Sequence, residues 1–311
     1  MPSTGANVTW NPEALPELSG RVFAVTGGNA GIGYFITEQL AAAGAHVVLL
    51  GRSPQRLRTA VATLRTRLGA AELSTIPLDL ADLDSVGKAA EELVRLGRVD
   101  ALIENAGITA PGRVRRSTAQ GFELAMGTNH LGHFALTALT MPVLTASAAR
   151  VVPMGSLITR LRPFDLDDLQ STRSYSDFRS YAQSKHAVQS FGFELDRRLR
   201  DAGSPVRSIV AHPGLSLDQS SPDRRGITTR VPAFRLLAPI IQGKDHGAWP
   251  AVRAAADPAA ATVTCFGPAR ISTGAPVPGT APAASRDPRR ASRLWTISEE
   301  LTGIPFRIGE P

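Results

Sequence analysis

Short apolar runs alternate along the chain with longer stretches in which apolar residues return every three or four positions. Runs at about 21–25, 47–50, 73–77, 101–104, 150–154 and 206–212 read as six strands. Helical periods fall between them at about 31–43, 54–68, 83–95, 121–140 and 181–200. A run such as 47–50 is apolar at every position, which fits a sheet covered on both faces. Strand and helix in strict alternation predict right-handed βαβ units and an α/β fold, a doubly wound parallel sheet. The last third breaks the rhythm. Residues 214–242 carry much Ser, Arg and Pro and read as a long excursion, a candidate substrate loop over about 214–243. A final strand is expected at 259–266, an exposed or wrapped segment at 268–287, and a helix at 289–301 stopped by Gly303. The expected organisation is an N-terminal arm (1–18) and one domain (19–311) whose C-terminal extension begins near 267.

At 311 residues and 43% hydrophobic, the chain is long enough for a large core without covalent staples. Cys265 is the one cysteine, so neither an intramolecular disulfide nor a multi-thiolate metal site is available, and no metal is expected. Residues 1–20 are polar with three prolines and lack the apolar core of a secretory signal. No stretch approaches the ~18 apolar residues of a spanning helix. These features predict a soluble cytoplasmic protein with no membrane span. The net charge of +7 comes almost wholly from arginine, since Lys88, Lys185 and Lys244 are the only lysines. The arginines cluster at Arg113/Arg115/Arg116 and over 286–293 without interleaved aromatics. That pattern argues for a solvated surface or a phosphate-bearing small molecule, and against a nucleic-acid partner.

The segment Thr26-Gly27-Gly28-Asn29-Ala30-Gly31-Ile32-Gly33 follows the first strand and opens the first helix. Gly27, Gly31 and Gly33 permit a tight turn and a close approach of an anion, and the helix start offers free N–H groups to a pyrophosphate. With strand and helix correctly placed, the segment reads as a dinucleotide-binding (Rossmann) turn, with Asn29 and Ile32 beside the phosphates. A carboxylate at the end of the second strand would favour NAD. Here Gly51-Arg52-Ser53 stands there, and Arg52 suits the 2′-phosphate of NADP(H) rather than NAD(H).

These residues resemble the short-chain dehydrogenase/reductase family. The likeness starts at TGGNAGIG and continues through Asp79-Leu80, Asn105-Ala106-Gly107 and Asn129-His130-Leu131-Gly132-His133-Phe134. It then takes in Ser156, Tyr181-Ala182-Gln183-Ser184-Lys185 and Pro213-Gly214, covering about residues 19–215. The NHLGHF segment, Arg52 and the C-terminal Arg293-Leu294-Trp295…Ser298-Glu299-Glu300-Leu301-Thr302-Gly303 resemble the retinol-dehydrogenase-like branch. The resemblance implies hydride exchange between a nicotinamide and a carbonyl or alcohol carbon, with Asn129, Ser156, Tyr181 and Lys185 as the catalytic set. Tyr181 would exchange the proton. Its phenol, ordinarily near pKa ~10, needs help to ionise. Lys185 lies four residues on, one turn along the same face, where its charge favours tyrosinate. Ser156 would polarise the substrate oxygen. Asn129 would link Lys185 to solvent through water. The implied cofactor contacts add Asp79, Leu80, Asn105, Gly107, Pro213 and Gly214, with Tyr181 and Lys185, to the turn residues and Arg52.

Four positions depart from the family pattern. Glu104 replaces a frequent Asn and is expected to alter support of the fourth strand rather than chemistry. Gly155 replaces a frequent Ser. Pro153, which has no N–H for a ladder, is expected to distort the strand that delivers Ser156. Asp218 stands where the branch has a Thr on the carboxamide, with Ser216 as a substitute donor. His130 and His133 read as packing or surface residues. Leu161, Phe164, Leu215, Phe234, Leu236 and Leu237 are expected to wall an apolar substrate pocket. Three functions follow: a carbonyl/alcohol oxidoreductase, a C=C reductase on the same scaffold, or a non-catalytic nucleotide-binding sensor. The partner is a small molecule, and a homo-oligomer stays open.

Overall fold

The computed structural model describes residues 10–12, 14–110, 112–229 and 240–308. Strand β1 (Val22–Thr26) sits between β2 (His46–Gly51) and β4 (Ala101–Glu104). With β3 (Leu73–Pro77), β5 (Arg150–Pro153) and β6 (Arg207–Ser208) they form one parallel sheet in the order β3-β2-β1-β4-β5-β6. The order reverses between β1 and β4. Doubly wound sheets bind their ligands at the carboxyl edge of that switch point.

Side chains leave each strand alternately to the two faces. Phe23, Val25, Val47, Leu49 and Ile103 enter one layer with α1 (Gly31–Ala42), α2 (Pro54–Leu68) and α7 (Lys244–Ala256). Ala24, Val48, Leu50, Leu102 and Val151 enter the other with α3 (Leu83–Arg95), α5 (Gly132–Ala146) and α6 (Asp177–Asp201). Both faces of the central strands are covered, which is why runs such as Val47–Leu50 are apolar at every position. Ser53, Asp82 and Ser176 cap α2, α3 and α6.

The structure revises the sequence reading in four places. The segment expected as one helix over 121–140 starts as α4 (Leu124–Met126), opens into a π turn at Gly127–Leu131 and continues as α5 through Pro142 to Ala146. The sixth run splits into β6 and β7 (Val210–Ala211). The break falls at Ile209, which faces Val152 in register and donates its N–H to the Val151 carbonyl; its own carbonyl would accept from residue 153, where proline has no N–H to donate. The final strand lies at Cys265–Pro268 (β8), after a 3₁₀ turn at Pro258–Thr262, and pairs with β7. The unassigned stretch after Gly243 is α7, whose small face of Ala248, Ala251 and Ala255 joins the core beside α1.

The C-terminal segment folds back onto this frame through β9 (Pro276–Pro278), α8 (Ala283–Arg286) and α9 (Pro288–Thr302). Gly303 ends α9 in the left-handed conformation (φ 67°), where glycine carries no Cβ penalty. Trp295 sits edge-on to Phe134 (centroids 5.5 Å) and packs on Phe306 (4.5 Å), with the Arg198 guanidinium over its ring at 4.4 Å. His130, on the π turn, bonds Ser298 of α9 at 2.8 Å, and His186 bonds Ser285 of α8 at 2.7 Å. At the other end of the chain Leu18 is fully buried. Among the described residues no helix is long and apolar enough to cross a membrane.

Truncating a fully packed aromatic removes its burial and leaves a cavity. Trp295→Ala is therefore expected to cost about 3–5 kcal/mol of unfolding free energy, read from urea denaturation. A loss below about 1 kcal/mol would show that α9 is not part of the cooperative unit.

Candidate active site

The glycine turn is built around contacts that a side chain would break. Gly27 adopts φ 67°, and a Cβ there would stand 3.1 Å from Ala106 Cα. A Cβ on Gly33 would run into the Gly27 carbonyl oxygen and Asn105 Nδ2. Gly31 (φ 55°) has only the Lys244 side chain within 4 Å of such a Cβ. The N-terminus of α1 is uncapped by any side chain and has no acidic residue in its first turn. Its first N–H groups, at Gly31, Ile32 and Gly33, therefore lack a side-chain acceptor among the described residues and have the helix dipole behind them, an arrangement that fits a pyrophosphate. Asn29 Oδ1 lies against the Gly51 Cα at the end of β2. Arg52 follows, exposed, with no ion pair among the described residues. The residues present thus fit a nicotinamide dinucleotide.

Thr26 holds this turn to β4. Its Oγ1 accepts from the Ala106 N–H (2.9 Å), and its carbonyl accepts from Asn105 Nδ2 (2.9 Å). The same Oγ1 lies 2.9 Å from His133 Nε2, and His133 Nδ1 lies 2.9 Å from the Asn129 carbonyl. Burial holds the His133 imidazole neutral, its pKa pushed down to about 4. A carbonyl only accepts, so Nδ1 carries the proton and Thr26 donates to Nε2. One chain of hydrogen bonds therefore runs from the phosphate turn to Asn129. From the sequence Thr26 is only one residue of the glycine turn and His133 a packing or surface residue, because these partners lie far apart along the chain.

Asn129 lies in the π turn, where Gly132 N–H reaches back five residues to the Gly127 carbonyl. Its Nδ2 donates to Ser184 Oγ (2.9 Å) and the Ile108 carbonyl (3.1 Å), and its Oδ1 accepts from the Ile108 N–H (2.7 Å). Lys185 Nζ donates to the Met154 carbonyl at 2.8 Å. Asn129 Oδ1 and Lys185 Nζ both border Gly107, 3.0 and 3.6 Å from where its Cβ would stand. Tyr181 Oη donates to Ser156 Oγ at 3.3 Å. The four residues singled out from the sequence therefore converge at the carboxyl edge of β4 and β5. Despite Pro153, the chain after β5 still brings Ser156 to Tyr181. Gly155 has its reason in Gln189, whose Nε2 would lie 2.7 Å from a Cβ there.

The electrostatics centre on Lys185. Burial lowers its pKa to about 8, opposed by the charge of Glu104. Burial raises the Glu104 carboxyl to about 7, opposed by a hydrogen bond from Thr137 Oγ1 (2.5 Å) and by the Lys185 charge. Glu104 Oε2 is buried with no hydrogen-bond partner among the described residues. Glu104 thus acts on the buried ammonium through its charge, besides ending β4. Burial also raises the Tyr181 phenol above its ordinary value, partly offset by the Ser156 hydrogen bond.

Other expected positions are placed as follows. Asp79 Oδ1 accepts from the Ala81 N–H (3.0 Å) at the end of β3, and Leu80 is buried against Gly132. The Pro213 carbonyl accepts from Ser216 Oγ (2.8 Å) and Gln242 Nε2 (2.9 Å), so the Ser216 hydroxyl proton is engaged there. Gly214 (φ 67°) is pressed by the Ser272 carbonyl. Phe164 is buried and stacked on His186 (5.1 Å, 8°), and it lines a surface cavity with Arg289, Arg290 and Arg293. Leu161 and Leu215 are exposed, while Phe234, Leu236 and Leu237 lie outside the described residues.

Comparison with known proteins agrees with this geometry. The family model of the short chain dehydrogenases matches residues 21–221. The chain is similar to a polyprenol dehydrogenase of Mus musculus, 37% identical over 94% of this chain and 87% of that protein. It is similar to human retinol dehydrogenase 13, 33% identical over 92% of this chain and 86% of that protein. Among solved structures, an uncharacterized protein from Mycobacterium paratuberculosis is 33% identical with a TM-score of 0.79, over 96% of this chain and 99% of that one. The NADP active-site complex of Pseudomonas aeruginosa RhlG is 26% identical with a TM-score of 0.59, over 81% and 95% of the two chains. With a nucleotide turn, a converged Asn-Ser-Tyr-Lys set and relatives along nearly its whole length, the chain belongs to the short-chain dehydrogenase/reductase family and is an oxidoreductase of its retinol-dehydrogenase-like branch.

Proposed function

We propose that the protein is an NADP(H)-dependent oxidoreductase that interconverts a carbonyl and an alcohol on an apolar small molecule. The observation that carries this reading is the Tyr181–Ser156 hydroxyl pair, hydrogen-bonded at 3.3 Å beside the buried Lys185. A bound nicotinamide dinucleotide supplies or accepts the hydride and, when oxidised, brings a positive ring. Gly27, Gly31, Ile32, Gly33 and Asn29 would hold its pyrophosphate and adenosine side, with Asp79 and Leu80 near the adenine. Asn105, Gly107, Lys185, Pro213 and Gly214 would border its nicotinamide half. In reduction the Tyr181 hydroxyl proton moves to the substrate oxygen; in oxidation it returns. Ser156 gives its own hydroxyl proton as a hydrogen bond to that oxygen, where negative charge develops. The Lys185 ammonium lowers the cost of the tyrosinate left behind. Relatives named for polyprenol and retinol, together with exposed Leu161 and Leu215, support an extended apolar substrate.

Three results test the reading. NADPH oxidation with a panel of ketones, aldehydes and quinones is expected to fall by about 10²–10⁴-fold in Tyr181→Phe, the contribution of a positioned proton donor. Equal rates in the two proteins remove Tyr181 from the reaction. Arg52→Asp is expected to raise the Kd for NADPH at least about tenfold and leave NADH within about twofold, measured by fluorescence titration. An unchanged ratio of the two affinities rejects the phosphate role. Glu104→Gln removes the anion that opposes the downward shift of Lys185. The alkaline fall of kcat/KM for ketone reduction, expected near pH 8 in the wild type, should then move to lower pH. A limb that stays in place shows that Glu104 does not set the charge of Lys185.

A further inference from the structure

Lys244 and Asp218 form an ion pair that the chemistry above does not use. Asp218 Oδ2 lies 2.8 Å from Lys244 Nζ, and Asp218 Oδ1 is buried without a hydrogen-bond partner among the described residues. Lys244 is the first residue of α7, and its backbone N–H donates to Ser221 Oγ at 2.8 Å. The helix is fixed to α1 by Gln39 Nε2 donating to the Asp245 carbonyl (2.8 Å) and by the alanine face buried in the core. The lysine stem therefore projects from a rigid base. Its ammonium hangs over the Gly31 Cα: a Cβ there would lie 3.7 Å from Nζ and 3.9 Å from Cδ, with nothing else within 4 Å.

That position is electrostatically unfavourable for a bare cation. The uncapped N-terminus of α1 carries a partial positive charge equivalent to about half a proton. A lysine above it is tolerated because Asp218 neutralises it. An incoming pyrophosphate reverses the balance, since it offers the ammonium a stronger partner and leaves the Asp218 carboxylate facing another anion.

We propose that Lys244 is a pyrophosphate ligand of the dinucleotide, stored on Asp218 in the free protein and released to the cofactor on binding. This rests on the dinucleotide reading of the site and assigns Asp218 a restraining role. It follows that the two halves of one ion pair act in opposite directions on affinity. Because the pyrophosphate is common to both cofactors, the effects are the same for NAD⁺ and NADP⁺.

The test is fluorescence or calorimetric titration of the purified full chain with each dinucleotide, with thermal melts as a check on folding. Lys244→Met is expected to raise both Kd values about tenfold, the loss of one charge-assisted hydrogen bond. Lys244→Arg keeps the charge and is expected to stay within about threefold of wild type. Asp218→Asn is expected to tighten both complexes severalfold. Weaker binding in both Lys244→Met and Asp218→Asn marks the pair as structural and overturns the proposal. Loss confined to NADP⁺ moves Lys244 to the 2′-phosphate and also overturns it. A wild-type protein that binds neither dinucleotide overturns the cofactor reading itself, and this role with it.

Discussion

A lysine ammonium held out of water at the carboxyl edge of a parallel sheet is the constraint the rest of the site answers to. An unpaired charge in that position costs several kcal/mol, and the surroundings must return it. The Met154 carbonyl takes one of the three ammonium protons at 2.8 Å. Glu104 supplies the opposing charge from the end of β4, bound in turn by Thr137 of α5. The π turn of Gly127–Leu131 widens the helical segment at the point where Asn129 clamps Ile108 beside Gly107. Tyr181 rides on the same helix as Lys185, and the chain leaving β5 carries both Met154 and Ser156. Packing the sheet therefore positions the Tyr181 phenol, the Ser156 hydroxyl and the Lys185 ammonium together.

The nucleotide turn belongs to the same framework. Thr26, His133 and Asn129 make a continuous run of hydrogen bonds across β1 and α5. Such buried polar chains are rigid when every member is satisfied. The spacing between the glycine turn and Asn129 is thereby set by the core and not by loops. Loops contribute elsewhere: the segment after Gly214 brings Asp218, and α7 brings Lys244, to the open end of α1.

Much of this was legible in the chain because certain demands select a residue type. Gly27 and Gly31 need positive φ, and Gly33 admits no side chain. Tyr181 and Lys185 share a helix face whose period is plain in the sequence. Phe23, Ala24 and Val25 alternate between two covered faces, so apolar residues stand at successive positions there. What escaped notice depended on partners distant along the chain. Thr26 meets His133, Glu104 meets Lys185, and Phe164 stacks on His186, pairings that no local pattern announces. Helix α7 was missed because its buried face is made of alanines, whose hydropathy is weak though their small size lets α1 approach closely. Pro153 was read as a disturbance of its own strand, yet its effect falls on the neighbour, where the missing N–H parts β6 from β7.

The central claim is that the buried ammonium, with a bound oxidised nicotinamide, makes Tyr181 acidic enough to exchange a proton. The chain has three tyrosines, and burial raises all three in the free protein, Tyr34 to about 12. Ultraviolet difference titration of tyrosinate, with and without NADP⁺, isolates the effect. The account predicts that NADP⁺ brings one tyrosine ionisation below the ordinary phenol value of about 10, and that this transition is absent from Lys185→Met. A complex in which no tyrosine ionises below its free-protein range would contradict it.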